Sequence, residues 1–329
     1  MHFPHRDLES ICYEPSHIAA VKEALNQGLE TFFLRYVSDT VTGEDESAGF
    51  DGFRAHEYFK VRGNHRPGKK GADASTVLTT RANVAIESFE DDRADYVQLL
   101  SEEMLELSGE DVPSFKATAL RNQCPIIRKT LQNKKAKKLD RYRQDFSFAS
   151  ASDLYTVVSN VALFGREYAA DYKRSKFINT TTLDALNFDE LDTEDYTVFG
   201  VIGGGIKSHF LYKLYPHIFP YRSQDAIWAL WFLSDKATFG CRQDSEFLMI
   251  SEKDGTTQQN FYYPYAVFSL YALDLSRQLQ AKWEQTGAAF PEAYRFVLLH
   301  DFLSFVARCH DADINVLKQA EAFAYGDAY

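Results

Sequence analysis

With 329 residues, 45% apolar and 25% charged, the chain has the composition of a globular protein with a sizeable core and not of a disordered one. Its net charge of −11, taken alone, disfavours a nucleic-acid ligand. No apolar run reaches the roughly 18 residues of a membrane span, and the opening MHFPHRDLES lacks a secretory pattern.

In chain order, Ile18, Val21, Leu25, Leu29, Phe32, Phe33 and Tyr36 recur at three- and four-residue steps, which predicts an amphipathic helix over 18–38. TVTGEDESAGFDG reads as a polar loop, FRAHEYFKVR as a short helix, and GNHRPGKKGADAS as a basic loop. Residues 91–108 and about 114–143 read as helices, with Pro125 breaking the second so that the basic stretch starts its own helix near Ile126. The segment from Ser147 to Tyr172 is a further helix, with Ser152 or Asp153 as its N-cap. A turn-rich polar stretch follows, placing a boundary between a helical region 1–178 with the basic clusters and a helical region 179–329. Helices are expected at 206–214, 223–234, 264–285, 291–309 and 312–324. Asp254-Gly255 marks a β-hairpin within about 245–263. The expected fold is a mainly α, multi-helix protein with one small hairpin.

The charge is segregated along this chain. Arg128 to Arg143 holds eight Lys/Arg against one acid, Asp140; Lys60 to Lys70 holds five and no acid, leaving −23 on the rest. Such clusters set up a local positive field on an acidic protein. Cys12, Cys124, Cys241 and Cys309 are scattered with no C-x-x-C. That argues against a structural zinc or iron–sulfur site and fits reduced thiols in a cytoplasm, so no cofactor or metal is expected.

The stretch VFGVIGGGIKSHFLYKLYP, Val198 to Pro216, carries three glycines ahead of an amphipathic helix. A P-loop needs Gly followed directly by Lys, whereas Ile206 separates Gly205 from Lys207 and turns the lysine about 100° round the helix. A dinucleotide fingerprint fails on its glycine spacing. A Gly-x-Gly turn between two short helices, by contrast, leaves backbone N–H groups free to hold a DNA phosphate. IGGGIKSHFLYKL resembles the helix-hairpin-helix of endonuclease III-type DNA glycosylases over residues 202–231. The resemblance matches Gly203 and Gly205 to the turn glycines, Lys207 to the catalytic lysine and Ser208 to the hydroxyl residue after it. Asp225, eighteen residues on and in a helix capped by Ser223, matches the family's aspartate. It departs from the family at Ile202, where a proline is usual, and in the β-branched lead-in EDYTVFGVI.

The resemblance implies DNA binding, with Gly203, Gly205 and Ser208 on phosphate. Lys207 would be nucleophile and Asp225 stabiliser of the developing sugar cation. Lys134, Lys135, Lys137, Lys138 and Arg141 would supply a salt-sensitive grip. Two other classes stay open. His300-Asp301 in LLHD resembles HD-type metal phosphohydrolases, which need further ligands such as His209 or His217. A non-catalytic helical interaction or assembly protein, partnered by another protein or by copies of itself, is the third. A cytoplasmic location is expected for all three.

Overall fold

The computed structural model describes residues 8–38, 73–136, 139–242, 245–251, 256–260 and 262–317. Within them the chain is mainly α-helical. Its long helices are α1 (Pro15–Ser38), α2 (Ala74–Glu90), α3 (Arg93–Leu99) and α4 (Glu102–Glu110). Next come α5 (Val112–Ser114), running on into a π-helical stretch Phe115–Gln123, then α6 (Pro125–Gln132), α7 (Asp140–Phe148) and α8 (Ala151–Ala170). The second half holds the single turns α9 (Arg174–Phe177) and α10 (Leu183–Leu186), then α11 (Gly204–Leu214), α12 (Gln224–Leu233), α13 (Tyr265–Gln285) and α14 (Arg295–Cys309). An antiparallel pair, β1 (Leu248–Ser251) and β2 (Thr256–Gln259), sets Leu248 opposite Gln259 and Ser251 opposite Thr256.

The core lies where helices are apolar on every face. In α12 every residue from Ala226 to Leu233 is buried, and α13 is buried almost without interruption from Tyr265 to Leu275. Helices of that kind have no solvent side and must be enclosed by others. Both are enclosed by α14 and by α1, while α2 lies on α14 and α8 on α11. The buried stripe of α1 is the predicted one, Ile18 to Tyr36. At Gly28 this helix approaches the end of α12 so closely that a Cβ would lie 2.0 Å from the Leu233 carbonyl oxygen. Helix starts are fixed by side chains at Asp73, Ser101, Ser150 and Ser223.

Several sequence expectations need correction. The cap of α8 is Ser150, whose hydroxyl accepts from the Asp153 N–H at 3.3 Å, not Ser152 or Asp153. The basic stretch is not one helix: α6 ends at Gln132, a turn carries Lys134 and Lys135, and α7 starts afresh at Asp140. Buried residues from Ile18 to Ile314 form one contiguous cluster, and α1 packs on α12 and α13. The basic segment 60–70, the Asp254-Gly255 turn and the end of the expected last helix lie outside the described residues.

Candidate metal centre

Two short segments, far apart in sequence, meet at one end of α1. Ser10–Tyr13 forms a 3-10 turn that buries Cys12 completely, and Pro15 opens α1, where its missing N–H is no loss. His17, in the first turn of α1, points inward with 5% exposure. The opposing segment follows α12. There the chain reverses through Asp235, Lys236, Phe239 and Gly240, all with positive φ. Three non-glycine residues in that region cost on the order of 1 kcal/mol or more each and persist only when their surroundings hold them. Here the Lys236 N–H donates to the Trp231 carbonyl at 3.0 Å and the Cys241 N–H to Thr238 at 2.9 Å.

The reversal delivers Cys241 and Glu246 onto the N-terminal turn. The Arg242 N–H donates to the Glu9 carboxylate at 2.8 Å, and the Phe239 ring meets the His17 ring edge-on. Glu246 is 3% exposed and its backbone is fixed, since the Asn260 amide donates to its carbonyl at 3.1 Å. One carboxylate oxygen of Glu246 pairs with His17 Nε2, and the other accepts from the Tyr263 hydroxyl at 2.6 Å.

Cys12, His17, Cys241 and Glu246 thus bring one donor atom each to within 4.8 Å of one another, mostly buried. Among the described residues no other group of three or more His, Cys, Asp or Glu converges in this way. The two sulfurs are 3.5 Å apart. A disulfide would hold them at about 2.05 Å, whereas two tetrahedral Zn–S bonds of about 2.3 Å place sulfurs about 3.8 Å apart. His17 Nδ1 is buried without a hydrogen-bond partner. The donor set therefore fits a tetrahedral cation, and its two sulfurs select a borderline-soft metal such as zinc over magnesium or calcium.

The electrostatics point the same way. Cys241 is pulled down by the hydrogen bond from Cys12, with help from the His17 charge, while that same bond, burial and Glu246 push Cys12 up. His17 is raised by its bond to Glu246 against the opposing effect of burial. The sequence reading missed this site because it sought C-x-x-C. The available signal was a repeated five-residue step, Cys12 to His17 and Cys241 to Glu246, but nothing in sequence joins two half-sites 229 residues apart.

The glycine stretch is arranged differently. No first helix precedes it: the chain enters through a 3-10 turn, Glu194–Tyr196, and a tight bridge between Val198 and Ile202. Lys207 is 3% exposed, and its ammonium donates to the Leu191 carbonyl and reaches Thr197 Oγ1 at 3.5 Å. Burial lowers its pKa to about 8 against the nearby Asp192 charge. The Ser208 hydroxyl, fully buried, donates to the Gly205 carbonyl at 3.0 Å and accepts from the Arg222 N–H at 3.2 Å. Gly203 is exposed with nothing near it, Gly204 lies against the Arg222 guanidinium, and Gly205 faces the Arg222 carbonyl.

Asp225 sits half-buried in the first turn of α12, and Ser223 caps that helix as expected, accepting from the Ala226 N–H at 3.0 Å. Lys134 and Lys135 are exposed; exposed Arg141 lies 3.7 Å from Asp145, whose carboxylate also presses on Gly200. Lys137 and Lys138 lie outside the described residues. The structure thus brings a carboxylate to the bend and takes the lysine amine inside. Asp301 is engaged by the Tyr36 hydroxyl at 2.6 Å, and neither it nor His300 belongs to the converging donor set.

No protein-family model, no curated protein and no solved structure matches this chain. No described helix is long and apolar enough to cross a membrane.

Proposed function

We propose that the chain is a metal-binding protein that holds one zinc ion between Cys12, His17, Cys241 and Glu246. The observation that carries this reading is the convergence of four donors of zinc-binding type within 4.8 Å. Four protein ligands close the coordination sphere, which is the pattern of a structural site and not of a catalytic one with an open position. When bound, the ion would hold both sulfurs as thiolates, the displaced protons leaving to solvent, and would neutralise their charge. Tyr263 orients the Glu246 carboxylate from outside, as partners of metal ligands do. Its mechanical role is a clamp that ties the N-terminal turn and α1 to the loop after α12, across the core made by α12, α13 and α14. No lyase chemistry is assigned to Lys207, because its amine already donates to a backbone carbonyl inside the fold.

Metal analysis of the purified protein tests the reading. Zinc close to one per chain is expected, with a cobalt-substituted form showing the visible bands of a tetrahedral thiolate site. Cys241→Ser and His17→Gln should each lose most of the metal. Protein from zinc-supplemented culture that carries only trace metal, with no cobalt spectrum on titration, overturns it.

A further inference from the structure

Away from the metal centre, α2, α11 and α14 enclose a cavity of about 60 Å3. Two polar stripes face it from otherwise apolar helices. His209 and Lys213 are one turn apart on α11, and His300, Ser304 and Arg308 follow one another at one-turn steps on α14. Ser88 of α2 joins them. A core built from Phe and Leu gains nothing by turning two stripes of this kind toward a void.

Four of these residues carry a polar atom that is buried with no hydrogen-bond partner: Ser88 Oγ, His209 Nδ1, His300 Nδ1 and Ser304 Oγ. Seventeen such atoms occur among the described residues, and the gathering of four of them around one cavity calls for a polar occupant. The cavity has room for roughly four water molecules at about 15 Å3 each, a space on the scale of a small oxyanion.

The surrounding charge decides between water and an anion. Lys213 has no exposure and is 2.7 Å from Asp92; Arg308 is exposed, so the cavity reaches the surface beside a cation. Asp301, the one acid lining it, is occupied by the Tyr36 hydroxyl and lies 3.9 Å from Arg81. Burial, followed by the Lys213 charge, holds His209 well below its ordinary value. Burial also lowers His300 to about 4, against Asp301. Both rings are therefore neutral at pH 7, each with one N–H to donate.

We propose that this cavity binds a small oxyanion of phosphate or carboxylate type, held by the Ser88 and Ser304 hydroxyls and the His209 and His300 rings. The cations nearest the cavity are Lys213, paired with Asp92 and donating to the Phe89 carbonyl, and Arg308 at its mouth. This site does not depend on the metal centre.

The test is calorimetric titration of the metal-loaded protein with inorganic phosphate and, separately, with formate, at ionic strength balanced by chloride. Saturable binding at roughly millimolar concentration or tighter is expected from one of them, and the one that binds identifies the source. Ser304→Ala and His209→Gln should each weaken it about tenfold, the loss of one hydrogen bond to a charged group. Because a buried variant can fail to fold, imidazole nitrogen spectra of the unaltered protein provide a second readout. Two of the nine histidines should shift with the anion. No saturable response to either anion, or shifts spread over all histidines alike, overturns the proposal and leaves the cavity to water.

Discussion

The bend at 200–208 and the four-donor cluster both gather polar groups at the edge of the same apolar core, yet they use them in opposite ways. At the bend Lys207 has the Leu191 carbonyl, Ser208 has Gly205 and Arg222, and Gly200 has Asp145 against it, while Gly203 stands open. At the cluster two sulfurs, an imidazole and a carboxylate crowd together where hydrogen bonds alone leave His17 Nδ1 unmatched. Buried polar groups that satisfy one another belong to the scaffold; those that converge without doing so mark a ligand site.

Metal removal should separate the two regions most strongly. Chelation, or Cys241→Ser, is expected to cost about 5 kcal/mol, since binding to a structural site is folding free energy, and to lower Tm by about 10 °C. Hydrogen exchange should locate the loosened amides at residues 9–17 and 235–246 and leave the bend protected. An unchanged melting curve in excess chelator, with no metal detected beforehand, breaks the contrast from the side of the cluster.

The pH dependence of the two regions should share a sign and differ in its window. The cluster needs deprotonated ligands, so its stabilisation is lost as pH falls and protons displace the metal. For Lys207 the folded pKa, about 8, lies below the unfolded value of 10.5. Between those limits the unfolded chain binds more protons, so this residue's contribution raises stability as pH climbs from about 8 to 10.5, by up to about 3 kcal/mol. Below pH 8 the amine is charged in both states and its burial penalty is constant. Denaturant unfolding of the protein and of Lys207→Met across pH 7.5–10 measures the difference. The variant should lack this rise. If both slopes are equal, the lysine is not held inside.

These contrasts explain what was legible in the sequence. Periodicity revealed α1, because Ile18 to Tyr36 all face one side, and Asp254-Gly255 marked a hairpin whose strands, β1 and β2, pair antiparallel. Pro125 revealed the start of α6. Lys207 misled because a lysine after a glycine turn looks the same in sequence whether its amine meets solvent or a buried carbonyl. Burial there is decided by Leu191, which sits 16 residues upstream. The cluster stayed hidden for the same reason at greater range: each half-site is two residues, and only the left-handed reversal at 235–240 joins them.

Substitution of Gly200 should cost more than substitution of the triple glycine that follows it. Gly200 has φ +75°, and a Cβ there would lie 2.3 Å from the Asp145 carboxylate, with the rest of that side chain close behind. Gly200→Ala is expected to cost about 1–3 kcal/mol, from the left-handed backbone and the displaced Asp145. Thermal unfolding of this variant in parallel with Asp145→Ala separates the two causes. The double variant should recover only the steric part.

The smallest effect is expected at Gly203, and its sign is informative. Gly203 is the N-cap of α11, with φ −110° and ψ −166°, an extended conformation open to any residue, and a Cβ there would meet nothing within 4 Å. Serine at an N-cap accepts from the first-turn N–H groups, so Gly203→Ser should stabilise α11 by a few tenths of a kcal/mol. A glycine kept for close backbone approach to a phosphate would behave otherwise: its replacement would leave stability unchanged and weaken binding to duplex DNA at low salt. Comparing Tm and a duplex-binding titration for this one variant therefore reads the bend directly. A small rise in Tm with no change in duplex binding assigns Gly203 to helix capping, whereas a loss of binding at constant Tm returns the bend to nucleic-acid recognition.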